Sequence, residues 1–273
     1  MSLKLPCRPA SRPRVKKSPF LHITLLPSPS RQRSLCLLPS PSSPAIGPPA
    51  MTPSTDRVNH TLLCAGVFLV WYSITVIVSS IPHFAALKSQ GLLMPVLCLL
   101  EFAALLPLYR AYSRHYSDIP PGRLRPGQTL LFTGLLLAVI ASQSLYLRQE
   151  GWTGEQLNDS TTVLLAFAIA VVFLAPVFEE ILFRGFILQG FLLWAPRQRV
   201  ACALLTSLIF AAMHTQYAHL QTVIALVVLS LLLCAARLVS AGLKLPIFLH
   251  MLNNLLSISP ILWSHFSGQG VGA

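Results

Sequence analysis

The sequence predicts an all-α fold, a polytopic membrane bundle of seven or eight transmembrane helices. Three observations carry that prediction. Charged residues make up 10% of the 273-residue chain and apolar ones 54%, whereas a soluble domain has about 25% charged residues with which to cover its surface. The mean hydropathy is +0.66. After Met51 the apolar residues gather into successive stretches, most of them close to the roughly 20 residues that cross a bilayer.

Residues 1–50 stand apart. They hold eleven of the 22 prolines, many serines, eight Lys/Arg and no acid. Such a segment buries too little apolar surface to order itself, so a disordered tail is expected. Pro27 and Pro29 interrupt its one candidate signal-peptide core. Met51 offers a second start, which would leave 1–50 untranslated. Setting the tail aside lowers the net charge from +12 to +4. The remaining charge lies mostly in loops, with no basic face of the kind that binds nucleic acid.

Spans are read near 61–81, 91–109, 128–147, 161–193, 199–214, 220–241 and 245–264. This divides the chain into N-terminal transmembrane helices over 51–147 and a second membrane domain over 160–264. The 161–193 stretch is too long for one crossing, and Pro176 in its middle predicts a kink or a break into two helices. The 199–214 stretch is short. Arg110, Arg114, Arg123 and Arg125 place the 110–127 loop on the cytoplasmic side, giving an inside N-terminus and an outside C-terminus. The six cysteines show no CxxC or Cys/His spacing and read as packing residues.

The polar residues inside these spans carry the chemistry. Of eight acids, only Glu101, Glu179 and Glu180 fall within spans. An ionised acid at the bilayer centre costs about 2.5–3.5 kcal/mol on insertion scales, and two neighbours resist joint ionisation. Arg184 follows Glu180 at i+4, in the favourable order for a helical ion pair. Glu179 points about 100° away around the helix and is left free to exchange protons. Two further i,i+4 pairs occur: Phe210 with His214, and His250 with Asn254. Tyr217 and His219 read as rim residues. Glu101 has no basic residue at i±4 and is left outside the site.

Glu179-Glu180-Ile-Leu-Phe-Arg184-Gly, Phe210-Ala-Ala-Met-His214 and His250-Met-Leu-Asn-Asn254 resemble, in order, the EExxxR, FxxxH and HxxxN motifs of the CAAX prenyl endopeptidase family, which includes bacteriocin-processing and immunity proteins. The resemblance covers about residues 160–260. It implies peptide-bond hydrolysis within the membrane, on a membrane-associated peptide or protein that is prenylated in the name-giving case. Glu179 would be the general base toward water, with His214 orienting that water. His250 and Asn254 would donate to the oxyanion, while Glu180 and Arg184 hold the helix and Phe210 contacts substrate. No cofactor is favoured. Zinc is compatible with Glu and His ligands, but two histidines and a carboxylate without an HExxH helix make an incomplete signature. The lipid bilayer, and a bacterial plasma membrane in particular, is the expected location.

Two alternatives stand beside this reading: a proton-coupled transporter using the glutamates as a relay, and a non-catalytic immunity-type membrane protein. Strict alternation of seven spans also puts His214 near the outer end of its helix and His250 near the inner start of its own. A shared site requires both to reach the level of Glu179.

Overall fold

A computed structural model of the chain describes residues 53–116, 118–148, 150–151 and 160–267. The 1–50 segment, expected to be a disordered tail, lies outside the described residues. In chain order these residues form α1 (Pro53–Ser80), α2 (Phe84–Ser89), α3 (Leu93–His115), α4 (Pro126–Gln143), α5 (Thr161–Trp194), α6 (Arg199–Ala212), α7 (Leu220–Ser240) and α8 (Lys244–Ser267). Among the described residues there is no strand. Six helices, α1, α3, α4, α5, α7 and α8, are long and apolar enough to cross a membrane. The expected count of seven or eight is not reached, because α6 has only 14 residues.

Their outer faces are greasy. Leu130 is 74% exposed, Leu62 64% and Ile77 63%, a pattern that lipid satisfies and water does not. Inside, one buried cluster joins Cys64 and Val67 of α1, Cys98 and Leu105 of α3, Phe178 and Leu182 of α5, and Phe210 beyond them. A second cluster ties α4 to α7 and α8 through Leu136, Leu233 and Leu249.

The long helix α5 departs from the expected break at Pro176. It starts on Ser160, whose side chain accepts a hydrogen bond from the Val163 amide at 3.4 Å, and runs 34 residues without interruption. The proline is absorbed instead by a change of helical type. Ala170–Leu174 are π-helical, and Pro176 opens the α-helical turn that follows. A proline lacks the amide that an α-turn needs and its ring presses on the carbonyl four residues back. A wider turn just before it relieves both demands. A second π segment, Ile181–Ile187, follows and contains Arg184.

Helix α8 runs antiparallel to α5, pairing His250 with Glu180, Asn254 with Val171 and His265 with Thr161. Helices α6 and α7 form an antiparallel hairpin, with Cys234 beside Ala203 and Ser207. The segment after α3 closes the opposite end. Leu243 and Lys244 donate their amides to the carbonyls of Pro120 and Pro121 at 3.2 and 2.9 Å, and Gly122 (φ +70°) lies directly against Gly242.

Candidate active site

Four helices bring the polar residues together. Glu180 and Arg184 share a face of α5 and are fully buried, with Nη1 to Oε1 at 2.8 Å. Arg184 also donates from Nη2 to Ser230 Oγ at 2.7 Å and to the Ser230 carbonyl at 3.3 Å. Its guanidinium carbon lies 4.6 Å from the centre of the Phe210 ring. A buried cation is tolerable in this setting because anion, hydroxyl, carbonyl and ring face surround it. Ser230 was missed in the sequence. Its only signal was a lone hydroxyl in the apolar run Val227-Val-Leu-Ser-Leu-Leu.

Glu180 has a second partner. Its Oε1 also lies 2.8 Å from His250 Nδ1. With Arg184 holding Glu180 as an anion, His250 Nδ1 is the donor. His214 is fixed similarly, its Nδ1 2.7 Å from the Phe210 carbonyl, which can only accept. Each neutral imidazole therefore keeps its proton on Nδ1 and turns the lone pair of Nε2 into the site.

Both lone pairs face one atom. Glu179 Oε2 lies 3.8 Å from His250 Nε2 and 4.0 Å from His214 Nε2. These gaps are too long for direct hydrogen bonds and short enough for one small molecule to touch both sides. Glu179 Oε2 is buried and makes no hydrogen bond to another side chain. Glu179 and His214 retain 16% exposure, against 4% for His250 and 0% for Glu180. The free carboxylate is thus the one reachable from outside.

The remaining expected residues are placed differently from one another. Asn254, one turn beyond His250, donates from Nδ2 to the Val171 carbonyl at 2.8 Å and accepts from Asn253 at 3.2 Å. Val171 belongs to the first π segment, so Asn254 ties α8 to the helix irregularity upstream of Glu179. Phe210, expected to touch substrate, is 1% exposed. It stacks edge-on against Phe183 at 5.0 Å and lies 4.4 Å from His214 and 6.1 Å from His250. A ring enclosed in this way holds the two histidines and does not face a substrate. Tyr217 stacks on His214 at 6.1 Å. Burial, with the charges of Glu179 and Glu150, pushes its phenol up to about 12, so it stays protonated.

The depth conflict is resolved by the length of α6. Glu179 lies fifteen residues before the end of α5 and His214 fifteen residues after the start of α6. At about 1.5 Å per residue both sit about 22 Å from the turn that joins these helices. His214 therefore reaches mid-depth because α6 stops short, and α8 enters beside Gly185 through Leu243, which brings His250 to the same level.

Zinc does not fit this arrangement. Tetrahedral ligands at about 2.0–2.1 Å from zinc lie about 3.3 Å apart, closer than the 3.8 and 4.0 Å found here. Among the described residues no group of three or more His, Cys, Asp or Glu side chains is set to hold a metal ion.

Comparison with known proteins bears on the same stretch. A family model described as "Type II CAAX prenyl endopeptidase Rce1-like" matches residues 161–256, which include α5, α6, α7 and the first half of α8. A protein of Escherichia coli described as "Uncharacterized 24.3 kDa protein" is 33% identical over 159 residues, covering 54% of this chain and 71% of that one. No solved structure matches.

Proposed function

We propose that this chain, which belongs to the Rce1-like family of type II CAAX prenyl endopeptidases, is an intramembrane endopeptidase whose water is activated by Glu179. The observation that carries this reading is the convergence of three acceptors, Glu179 Oε2, His214 Nε2 and His250 Nε2, with gaps of 3.8 and 4.0 Å. Water has two protons to give and suits such a site. Glu179 takes a proton as the water oxygen attacks the scissile carbonyl, a step in which a positioned base contributes about 10²–10⁴-fold. His214, anchored through Nδ1, orients the water.

Glu180 does more than neutralise Arg184. It holds the His250 ring in one tautomer and supports the imidazolium that forms when His250 accepts a proton. In that form Nε2–H donates to the developing oxyanion, a contribution of about 3–4 kcal/mol where such donors have been removed. Asn254 positions α8 through the Val171 carbonyl and offers its second amide proton toward the same side. The substrate is a membrane-associated peptide, prenylated if it follows the family's name. The membrane is a bacterial plasma membrane, in keeping with the Escherichia coli relative.

The test is cleavage of a membrane-embedded peptide by purified protein in proteoliposomes. Glu179→Gln and His214→Ala are each expected to lower the rate at least about 100-fold with an unchanged melting temperature. Wild-type rates in both variants would overturn the proposal.

A further inference from the structure

Hydrolysis of an amide needs a proton for the leaving nitrogen as well as a base for water. The site around Glu179 is short of proton donors. The Nδ1 protons of His214 and His250 are committed to Phe210 and Glu180, and Arg184 is enclosed by Glu180 and Ser230. One further titratable group lies within the electrostatic reach of Glu179 from another helix: Glu101 of α3.

Glu101 is buried and has a single hydrogen bond, from Thr75 Oγ1 of α1 to its Oε1 at 3.2 Å. Its flanking residues on the same helical face, Cys98 and Leu105, share one core cluster with Ala175, Phe178 and Leu182, which flank Glu179 on α5. The two helices therefore pack in a register that sets the carboxyls at one level. The charge of Glu179 acts on Glu101, on Cys98 and on Tyr217. Facing Glu101 are Thr75 and Trp71 from α1, Cys98 from its own helix and Glu179 from α5. None of these is a cation. The one cation in the site, Arg184, offsets Glu180, and two carboxyls so placed hold one proton between them.

We propose that Glu101 is the second catalytic carboxyl of this site, the acid that protonates the leaving amine. This rests on the endopeptidase reading above. The water O–H bond breaks as its proton goes to Glu179, and the new C–O bond forms at the carbonyl carbon. The C–N bond then breaks as the Glu101 O–H proton passes to nitrogen. Proton transfer from Glu179 to Glu101 restores the starting state, so that one water and one amide give one acid and one amine.

The test compares two substrates of the same peptide sequence: one with the scissile amide, and one with an activated aryl ester there, whose phenolate leaves without a proton. Glu101→Gln keeps the shape and the Thr75 contact. It is expected to lose at least tenfold in kcat on the amide, with KM unchanged, while cleaving the ester within about twofold of wild type. Should Glu101→Gln fail to fold, Thr75→Val, which frees the Glu101 carboxyl, is expected to give a smaller loss confined to the amide. Equal losses on both substrates, or wild-type rates on both, overturn the assignment. So does an amide-selective loss in Tyr217→Phe in place of Glu101→Gln. Glu179→Gln separates this inference from the one beneath it. Inactivity of that variant on both substrates upholds the endopeptidase reading whatever Glu101 does, and full activity overturns both.

Discussion

Two adjacent glutamates on one helix do different work because a 100° rotation gives them different neighbours. Glu180 faces inward to Arg184 and His250 and is fully buried. Glu179 faces the two imidazole lone pairs and keeps some access. Their amide variants should therefore separate. Glu180→Gln leaves Arg184 as a buried unpaired charge, a change that costs about 3–5 kcal/mol in comparable cases, and thermal unfolding in detergent should show a large drop in midpoint. Glu179→Gln should leave that midpoint unchanged while abolishing cleavage. Ser230→Ala removes one donor–acceptor pair from Arg184 and is expected to lower stability by about 1–3 kcal/mol, with proteolysis reduced in proportion to the folded fraction.

At the scale of elements, the site depends on two local departures from regular helix and on one helix that ends early. The π segments let α5 carry Pro176 and the Glu180–Arg184 pair in one unbroken rod. Gly185 lies within the second, where a Cβ would come within 3.2 Å of Ile119 Cγ2 and 3.8 Å of Leu243 Cδ1. Replacing it with valine forces the 118–122 segment and the entry to α8 apart. Overpacking of this kind costs about 1–3 kcal/mol, and the same shift withdraws His250 from Glu180. Gly185→Val should thus lower both melting temperature and kcat. Gly122→Ala meets a harder obstacle. The residue has φ +70°, and its Cβ would sit 2.7 Å from Gly242 Cα, so a backbone must move. It is expected to be the more damaging of the two by the same unfolding measurement.

Across the whole molecule, the far end of the α6–α7 hairpin is latched by a carboxylate from the loop after α4. Glu150 accepts from the Ala218 and His219 amides at 3.0 and 3.3 Å and from Thr222 Oγ1 at 2.6 Å, capping the first turn of α7. Burial alone would raise its pKa. The Thr222 hydroxyl and the two amides, with the His219 ring nearby, outweigh burial and hold it below the usual glutamate value. A depressed acid stabilises the fold fully above its unfolded pKa, and that stability is lost as pH falls through the lower folded value. The wild-type melting temperature should therefore fall below about pH 4.5, whereas Glu150→Gln should start lower and show a flatter acid slope. The latch also holds the loop carrying His214 and Tyr217, so the variant should lose activity at neutral pH as well.

The membrane bundle and the three polar motifs were legible in the sequence because lipid makes each intramembrane charge costly enough to stand out. The Glu180–Arg184 pair was legible for the same reason, since an i,i+4 spacing is local and helical geometry alone brings it together. Four things were decided only by tertiary packing. Ser230 completes the Arg184 shell from 46 residues away. His250 turns to Glu180 from another helix. Phe210 is enclosed between its neighbours. Glu101, with no partner at helical spacing, meets Glu179 only because α3 packs on α5 in register. A sequence fixes what lies within a few turns of one helix. Which faces of separate helices meet, and at what depth, depends on how short α6 is and on where α5 widens, and those are properties of the assembled bundle.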